Sequence, residues 1–255
     1  MATAIYAACK ATVKVGDGKE ITLHEETNYP FEEGIAFTVS TDEKVAFPFY
    51  LRIPSWTQKA EVRVNGKKVS AAPVAGKYLC INREWANGDR VELTLPMSLS
   101  MRTWQVNKNS VSVDYGPLTL SLKIAEKYVE KDSRETAIGD SKWQKGADPQ
   151  KWPTTEIYPD SPWNYSLVLD KKEPLKNFKV IRKSWPADNY PFTVASVPLE
   201  VKAIGRPVPE WKIDETGLCG VLPEEDAVKG DKEEITLIPM GAARLRISAF
   251  PNTKE

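Results

Sequence analysis

Between Phe47 and Met97 the sequence alternates apolar and polar residues in short runs, and each run ends at a turn signal. PFYLRIP alternates as a half-buried strand must, because successive side chains of a strand point to opposite faces. Asn65-Gly66 separates two such runs in AEVRVNGKKV. This dipeptide is the strongest short-range hairpin signal, since a type I′ turn needs positive φ at both central residues. Asn87-Gly88 likewise separates YLCINREW from RVELTLP, and the whole pattern predicts a β-sandwich.

The same alternation of apolar and polar residues, interrupted by turn signals, covers most of the 255 residues. It predicts an all-β fold of two β-sandwich (jelly-roll-like) domains in tandem, over residues 1–106 and 107–255. A break at Gly116-Pro117 separates two strands in the second domain. In the last part of the chain we expect a strand pair broken between Pro239 and Gly241. The remaining expected strands are AIYAACKATVKV, KEITLHEETN, IAFTVST, YSLVLD, KNFKVIRK and PFTVASVPLEVKAIGRPV.

Residues 126–164 differ from the rest of the chain. They are polar, rich in Pro, Gly and Asp, and have no sustained periodicity. Such composition is typical of loops. We therefore expect a loop-rich insertion here, with at most one or two short helices.

Charge and hydropathy exclude some partners. Lys plus Arg and Asp plus Glu both number 35, so no basic excess favours nucleic acid, which requires clustered cations. No apolar run approaches the length of a membrane-spanning helix. The N-terminus, MATAIYAACKATV, lacks the positive region and the long apolar run of a secretion signal, and the compartment stays open.

Few residues are suited to chemistry. Cys9, Cys80 and Cys219 match no zinc template, and we expect buried or unreactive thiols. The single histidine, His24, lacks a second histidine or a neighbouring cysteine, which favours a plain polar role. No G-x-S-x-G motif presents a nucleophile. The sequence therefore predicts no catalytic residue and no metal ligand.

Two glutamates occur next to each other at four places, but neighbours on a strand face opposite ways and cannot flank one glycosidic bond. We interpret them as solvated surface charge. The four pairs are Glu25-Glu26, Glu32-Glu33, Glu224-Glu225 and Glu233-Glu234.

Aromatic residues are concentrated in and directly after the polar segment, where Trp143 is found together with the four rings that form the candidate carbohydrate site: Trp152, Tyr158, Trp163 and Tyr165. Exposed aromatic faces bind sugars, because the CH-rich face of a sugar ring packs on a π surface. Alternatively, these rings anchor the loops on a sheet, since Trp is mostly buried. Three further tryptophans lie at strand ends or before a turn and suggest packing roles: Trp56, Trp85 and Trp211.

Seven motifs, taken in order, closely resemble the C-terminal half of bacterial glycoside hydrolase family 127, the β-L-arabinofuranosidase-like proteins. The resemblance runs from about Ala4 to Phe250. It implies two β-sandwich domains that follow a catalytic (α/α)6 barrel, and it implies a bacterial cytoplasmic or periplasmic protein. The motifs are FPFYLRIPSW, VRVNGKKV, INREWANGDRVELTLPM, VDYGPLTLSL, SPWNYSLVLD, RPVPEWK and ITLIPMGAARLRISAFP.

In the family this resemblance points to, the barrel carries a cysteine nucleophile, a glutamate acid/base and a zinc ion held by cysteines and a glutamate. We expect that barrel to lie before Met1, and its cysteine-rich motif is not in this sequence. No family catalytic role transfers to Cys9, Cys80 or Cys219. The resemblance therefore implies no cofactor on this chain itself.

Three functions remain open. The chain is a non-catalytic accessory region that supports a catalytic barrel, with an oligomer interface as a further option. Alternatively, it is an independent carbohydrate-binding module for plant-type glycans. The third reading is residual glycoside hydrolase activity.

Overall fold

The computed structural model describes residues 1–136, 146–215, 217–224 and 230–255. Strand makes up 47% of the protein and helix 3%, which confirms the predicted all-β fold. The chain forms two compact units, Met1–Ser100 with Asp114–Leu118, and Met101–Val113 with Thr119–Glu255. The domain limits drawn from the sequence, 1–106 and 107–255, stay a prediction.

The first unit contains two sheets. The three-stranded sheet has the order β1-β5-β8, and the six-stranded sheet has the order β2-β3-β4-β9-β6-β7. The strands are β1 Ala2–Thr3, β2 Cys9–Val15, β3 Lys19–Thr27, β4 Gly34–Ser40, β5 Val45–Arg52, β6 Glu61–Val64, β7 Lys67–Lys68, β8 Tyr78–Trp85 and β9 Arg90–Thr94.

The inner faces of these two sheets share one core. Strand β5 alternates between buried and exposed residues along its whole length, as its sequence predicts. Phe49 of β5 meets Phe37 of β4 edge to face, with ring centroids 5.4 Å apart. Trp85 is fully buried, lies against Phe47 and Phe49, and donates its indole N–H to the Phe47 carbonyl at 3.0 Å. The packing role predicted for Trp85 is confirmed.

Two Asn-Gly turns have different roles. Asn65 and Gly66 have φ values of 51° and 76°, as a type I′ hairpin between β6 and β7 requires. Asn87-Gly88 follows β8 and precedes β9, and these strands belong to different sheets. The second turn therefore carries the chain from one sheet of the sandwich to the other.

The described residues after β9 form one eight-stranded sheet and a separate hairpin, most of which belong to the second unit. The sheet order is β10-β11-β12-β18-β17-β15-β19, with β16 also paired to β17. The strands are β10 Leu99–Trp104, β11 Ser110–Tyr115, β12 Leu118–Leu122, β13 Glu126–Lys131, β14 Thr154–Pro159, β15 Tyr165–Leu169, β16 Lys179–Arg182, β17 Leu199–Pro207, β18 Glu233–Pro239 and β19 Asn252–Lys254. Helix α1 spans Ser133–Thr136, and a 3-10 turn spans Met240–Ala242.

Two expectations about strands are wrong. The strand expected from Pro191 begins only at Leu199, because Thr193 and Ser196 hydrogen-bond to each other in a local turn. The second strand of the last pair is replaced after Pro239 by the 3-10 turn and irregular chain. The segment 126–164, expected to be loop-rich, also contains the antiparallel strands β13 and β14, which the sequence did not indicate.

Candidate functional site

The candidate carbohydrate residues lie on and beside the hairpin β13–β14. Its six-residue ladder runs from Glu126 opposite Pro159 to Lys131 opposite Thr154. Helix α1 follows β13, and the Ser133 hydroxyl donates to the Trp152 carbonyl at 2.7 Å. Trp143 lies outside the described residues.

Trp152 and Tyr158 are exposed. The exposed fraction is 71% for Trp152 and 45% for Tyr158. The bond from Ser133 holds the backbone of Trp152, so the ring itself projects from an anchored position. The Tyr158 hydroxyl donates to Glu156, and this carboxylate raises the pKa of the tyrosine. Both rings are available to a ligand.

Trp163 and Tyr165 are placed differently. Trp163 is half-buried and packs edge to face on buried Trp211, with ring centroids 5.2 Å apart. The Trp211 indole donates to the Gly220 carbonyl at 3.0 Å, which confirms its packing role. Tyr165 is buried in β15, and burial together with its hydrogen bond to Glu233 raises its pKa to about 12. The four rings do not form one exposed platform.

Tyr128, on the partner strand, was not singled out from the sequence. It is exposed, and its hydroxyl donates to Glu126 at 2.5 Å, as Tyr158 does to Glu156. Tyr128 is paired with Ile157 and Tyr158 with Lys127, so the two tyrosines point to opposite faces. The repeated Glu-x-Tyr pattern in EKY and EIY could have revealed this arrangement.

A second exposed aromatic group lies in the turn that replaces the expected strand. Tyr190 and Phe192 are both about half exposed, and their rings meet edge to face at 5.9 Å. The Trp185 indole donates to Asn189 at 2.7 Å, and the Asp188 carboxylate accepts the Tyr190 N–H. Sequence reasoning missed this group because PFTVASV alternates like a strand.

The side chains suited to nucleophilic or metal chemistry are scattered. Cys9, Cys80 and Cys219 are free thiols and all three are exposed. Of the two expected alternatives, buried or unreactive, burial is therefore wrong and lack of reactivity stays a prediction. Across the described ranges, no three His, Cys, Asp or Glu side chains are grouped to hold a metal ion. A zinc site like the one the resemblance implies for the barrel does not fit these residues. The helices described here are too short to span a membrane.

Glu25 departs from the interpretation of the carboxylates as surface charge. It faces inward while Glu26 faces solvent, as strand geometry requires of neighbours. Its exposed fraction is 4%, its carboxylate accepts the Ala7 N–H at 3.0 Å, and the Cys9 sulfur lies 3.8 Å away. Burial raises the pKa of Glu25 to about 7. Desolvation, together with the neighbouring Glu25 carboxylate, raises the pKa of the Cys9 thiol.

The second unit also contains a cavity of about 370 Å³. An ion pair of 2.7 Å between Lys108 and Glu224 lies at its wall. None of the four rings predicted to bind carbohydrate lines this cavity. This cavity is therefore not part of the aromatic candidate site.

Comparison with known proteins gives one family match. Residues 1–97 match the family model of the β-L-arabinofuranosidase GH127 middle domain. A search of curated proteins finds no match.

Solved structures resemble nearly the whole chain. A GH127 β-L-arabinofuranosidase from Geobacillus stearothermophilus T6 is 21% identical, with a TM-score of 0.61 over 99% of this chain and 33% of that chain. A structure described as a glycoside hydrolase is 23% identical, with a TM-score of 0.61 over 99% and 36%. A GH127 β-arabinofuranosidase is 22% identical, with a TM-score of 0.61 over 99% and 34%.

The chain thus spans about a third of the length of these structures. At such identities the likeness shows the fold, and the family model adds sequence similarity over residues 1–97. Together these findings confirm the resemblance carried by the sequence motifs: this chain is similar to a part of the family 127 glycoside hydrolases.

Proposed function

We propose that the chain is a non-catalytic accessory region of a β-L-arabinofuranosidase-like glycoside hydrolase, which packs on and supports a catalytic barrel. The observation that carries the proposal is the match of residues 1–97 to a model named as a middle domain. A middle domain has neighbours in its parent protein. The fold match to about a third of longer hydrolases agrees with this role.

The first unit is suited to this role because its core is complete. Phe37, Phe49 and Trp85 are fully buried between its sheets. Such a core makes a rigid body that can hold the rim of another domain in place. Support of this kind requires no reactive group on the chain itself.

The test is to produce the chain alone and together with the catalytic barrel of a family 127 hydrolase. We expect the chain to co-elute with the barrel in size-exclusion chromatography and to raise the melting temperature of the barrel. An unrelated β-sandwich protein is the control. Co-elution no greater than that of the control would contradict the proposal.

A parallel assay addresses the enzyme alternative. The chain alone is incubated with an aryl β-L-arabinofuranoside, with and without zinc, and we expect no turnover. Turnover that disappears in the Cys9→Ser variant would make the chain a minimal enzyme.

The exposure of Trp152 and Tyr158 favours a second candidate function, the binding of plant-type glycans. Sugar rings pack on exposed aromatic faces, so Trp152→Ala and Tyr158→Ala should each weaken retention in affinity gels containing plant polysaccharides. Tyr128→Ala, which removes an exposed tyrosine from the opposite face of the hairpin, is the matched control. Equal retention of all three variants and the unmodified chain would remove this assignment.

A further inference from the structure

The outer face of the six-stranded sheet contains a groove that neither proposed function uses. Its volume is about 640 Å³, within the range of small-molecule sites. It belongs entirely to the first unit and includes none of the exposed aromatic residues described above. The side chains that shape it are those of Glu26, Glu61, Arg63, Arg90, Glu92 and Thr94.

Small residues on β4 produce the groove. Ala36 is paired with Glu26 on one side and with Glu92 on the other, and Glu92 is paired in turn with Arg63. Cross-strand partners share a face, so a short side chain lies between longer ones. Gly34 extends the floor, since a Cβ placed there would meet nothing within 4 Å. The groove thus follows β4, with charged side chains on both sides.

Ion pairs hold the charged walls. Arg90 reaches across β4 to Glu26 at 3.3 Å and also lies 3.6 Å from Glu92. On the far wall Arg63 contacts Glu61 at 2.5 Å. A guanidinium has five N–H donors and a carboxylate only acceptors, so these pairs leave both kinds of hydrogen-bonding group at the surface.

The lining restricts the class of ligand. Four carboxylates, those of Glu26, Glu32, Glu61 and Glu92, face two guanidiniums, which disfavours an anion. The two guanidiniums are ion-paired with three of these carboxylates, and four negative charges against two positive ones leave two in excess, so a small cation is the competing ligand that the test must separate. A neutral molecule with many hydroxyl groups can accept from the guanidiniums and donate to the carboxylates at once, and hydrogen bonds to charged groups are the stronger kind.

We propose that this groove binds a short neutral oligosaccharide, with Arg63 and Arg90 as donors and Glu26 and Glu92 as acceptors. The site is separate from the hairpin with Trp152 and Tyr158. It goes beyond the accessory role and does not depend on it. Because the groove is open and has no aromatic side chain, binding is weak and the ligand exchanges fast.

The test uses amide chemical shifts of the isotope-labelled full chain, titrated with neutral arabino-, xylo- and cello-oligosaccharides. At least one sugar should produce saturable shifts centred on β4 and β9. Arg63→Ala and Arg90→Ala should each weaken that binding about tenfold, the usual worth of a hydrogen bond to a charged group. Lys44→Ala, which removes an exposed ion pair with Glu84 outside the groove, should bind as the unmodified chain does.

A blocking variant keeps the test decisive if the arginine variants fail to fold. Gly34→Gln places a side chain in open space on the groove floor, so the fold should persist while binding is lost. Undiminished binding by Gly34→Gln, or the absence of saturable shifts at β4 with every sugar, would overturn the proposal. Saturable binding of spermidine at β4 without any binding of sugar would overturn it too. None of these outcomes affects co-elution with a barrel, which tests the accessory role separately.

Discussion

Aromatic residues of the first unit and of the hairpin β13–β14 have opposite environments. Phe37, Phe49 and Trp85 are fully buried between two sheets. Trp152 and Tyr158 lie beside and on the two-stranded sheet β13–β14, where Trp152 is largely exposed and Tyr158 about half exposed. A two-stranded ribbon has no second sheet to cover its faces. The same residue types therefore stabilise the fold in one region and form an accessible surface in the other.

This comparison predicts that changes within the sandwich reduce stability and that changes on the hairpin do not. The largest effect is expected for Trp85→Ala. The change removes a fully buried ring and leaves a cavity beside Phe47 and Phe49, which should lower the free energy of unfolding by about 3–5 kcal/mol. Urea denaturation measures it, and a loss below about 1 kcal/mol would contradict the assigned core.

The next prediction concerns buried Glu25. Its pKa in the folded protein is about 7, above the ordinary 4.5, so folding favours the protonated carboxyl. Its contribution is fully present below about pH 4.5 and is lost as pH rises through 7. We expect the free energy of unfolding of Glu25→Gln to depend less on pH in this window. At pH 8 this free energy should be higher than that of the unmodified chain. Glu26→Gln, its exposed neighbour, is the control.

A smaller effect is expected at the β6–β7 turn. The Asn65 side chain donates to Asp89 at 2.7 Å and accepts the Arg90 N–H at 2.8 Å, and its own φ is positive. Asn65→Ala should cost about 2 kcal/mol, because it removes both bonds and places alanine in a left-handed conformation. Asn65→Gly accepts the positive φ without strain but lacks the two side-chain hydrogen bonds. If both variants unfolded at the same urea concentration, the side-chain bonds would carry the whole effect.

The smallest effect is expected on the hairpin. Trp152→Ala should change the free energy of unfolding by less than about 0.5 kcal/mol, since the ring is 71% exposed and the bond from Ser133 goes to the backbone. Thermal denaturation checks this. A loss comparable to that of Trp85→Ala would show that Trp152 anchors the segment, the alternative considered from the sequence.

The sequence by itself determined the strands that have one clear face. In β5 every second side chain is buried, and in the hairpin at Asn65-Gly66 the turn residues demand positive φ, so local chemistry fixes both. The family resemblance also rests on the sequence, because it comes from motifs in a fixed order. For the candidate site, the sequence indicated four aromatic rings through their polar neighbours but did not separate the exposed pair, Trp152 and Tyr158, from the other two, and carbohydrate binding stays a prediction.

Tertiary structure decided what depends on distant partners. Asn87-Gly88 resembles Asn65-Gly66 in sequence, yet it links two different sheets, because pairing with β5 and β4 outweighs the local turn signal. Trp163 and Tyr165 have polar sequence neighbours as Trp152 does. In the structure, however, Trp163 packs on Trp211 and Tyr165 is buried in β15. The groove exists only because β3, β9 and β6 place long charged side chains beside Gly34 and Ala36, a register that no single strand encodes.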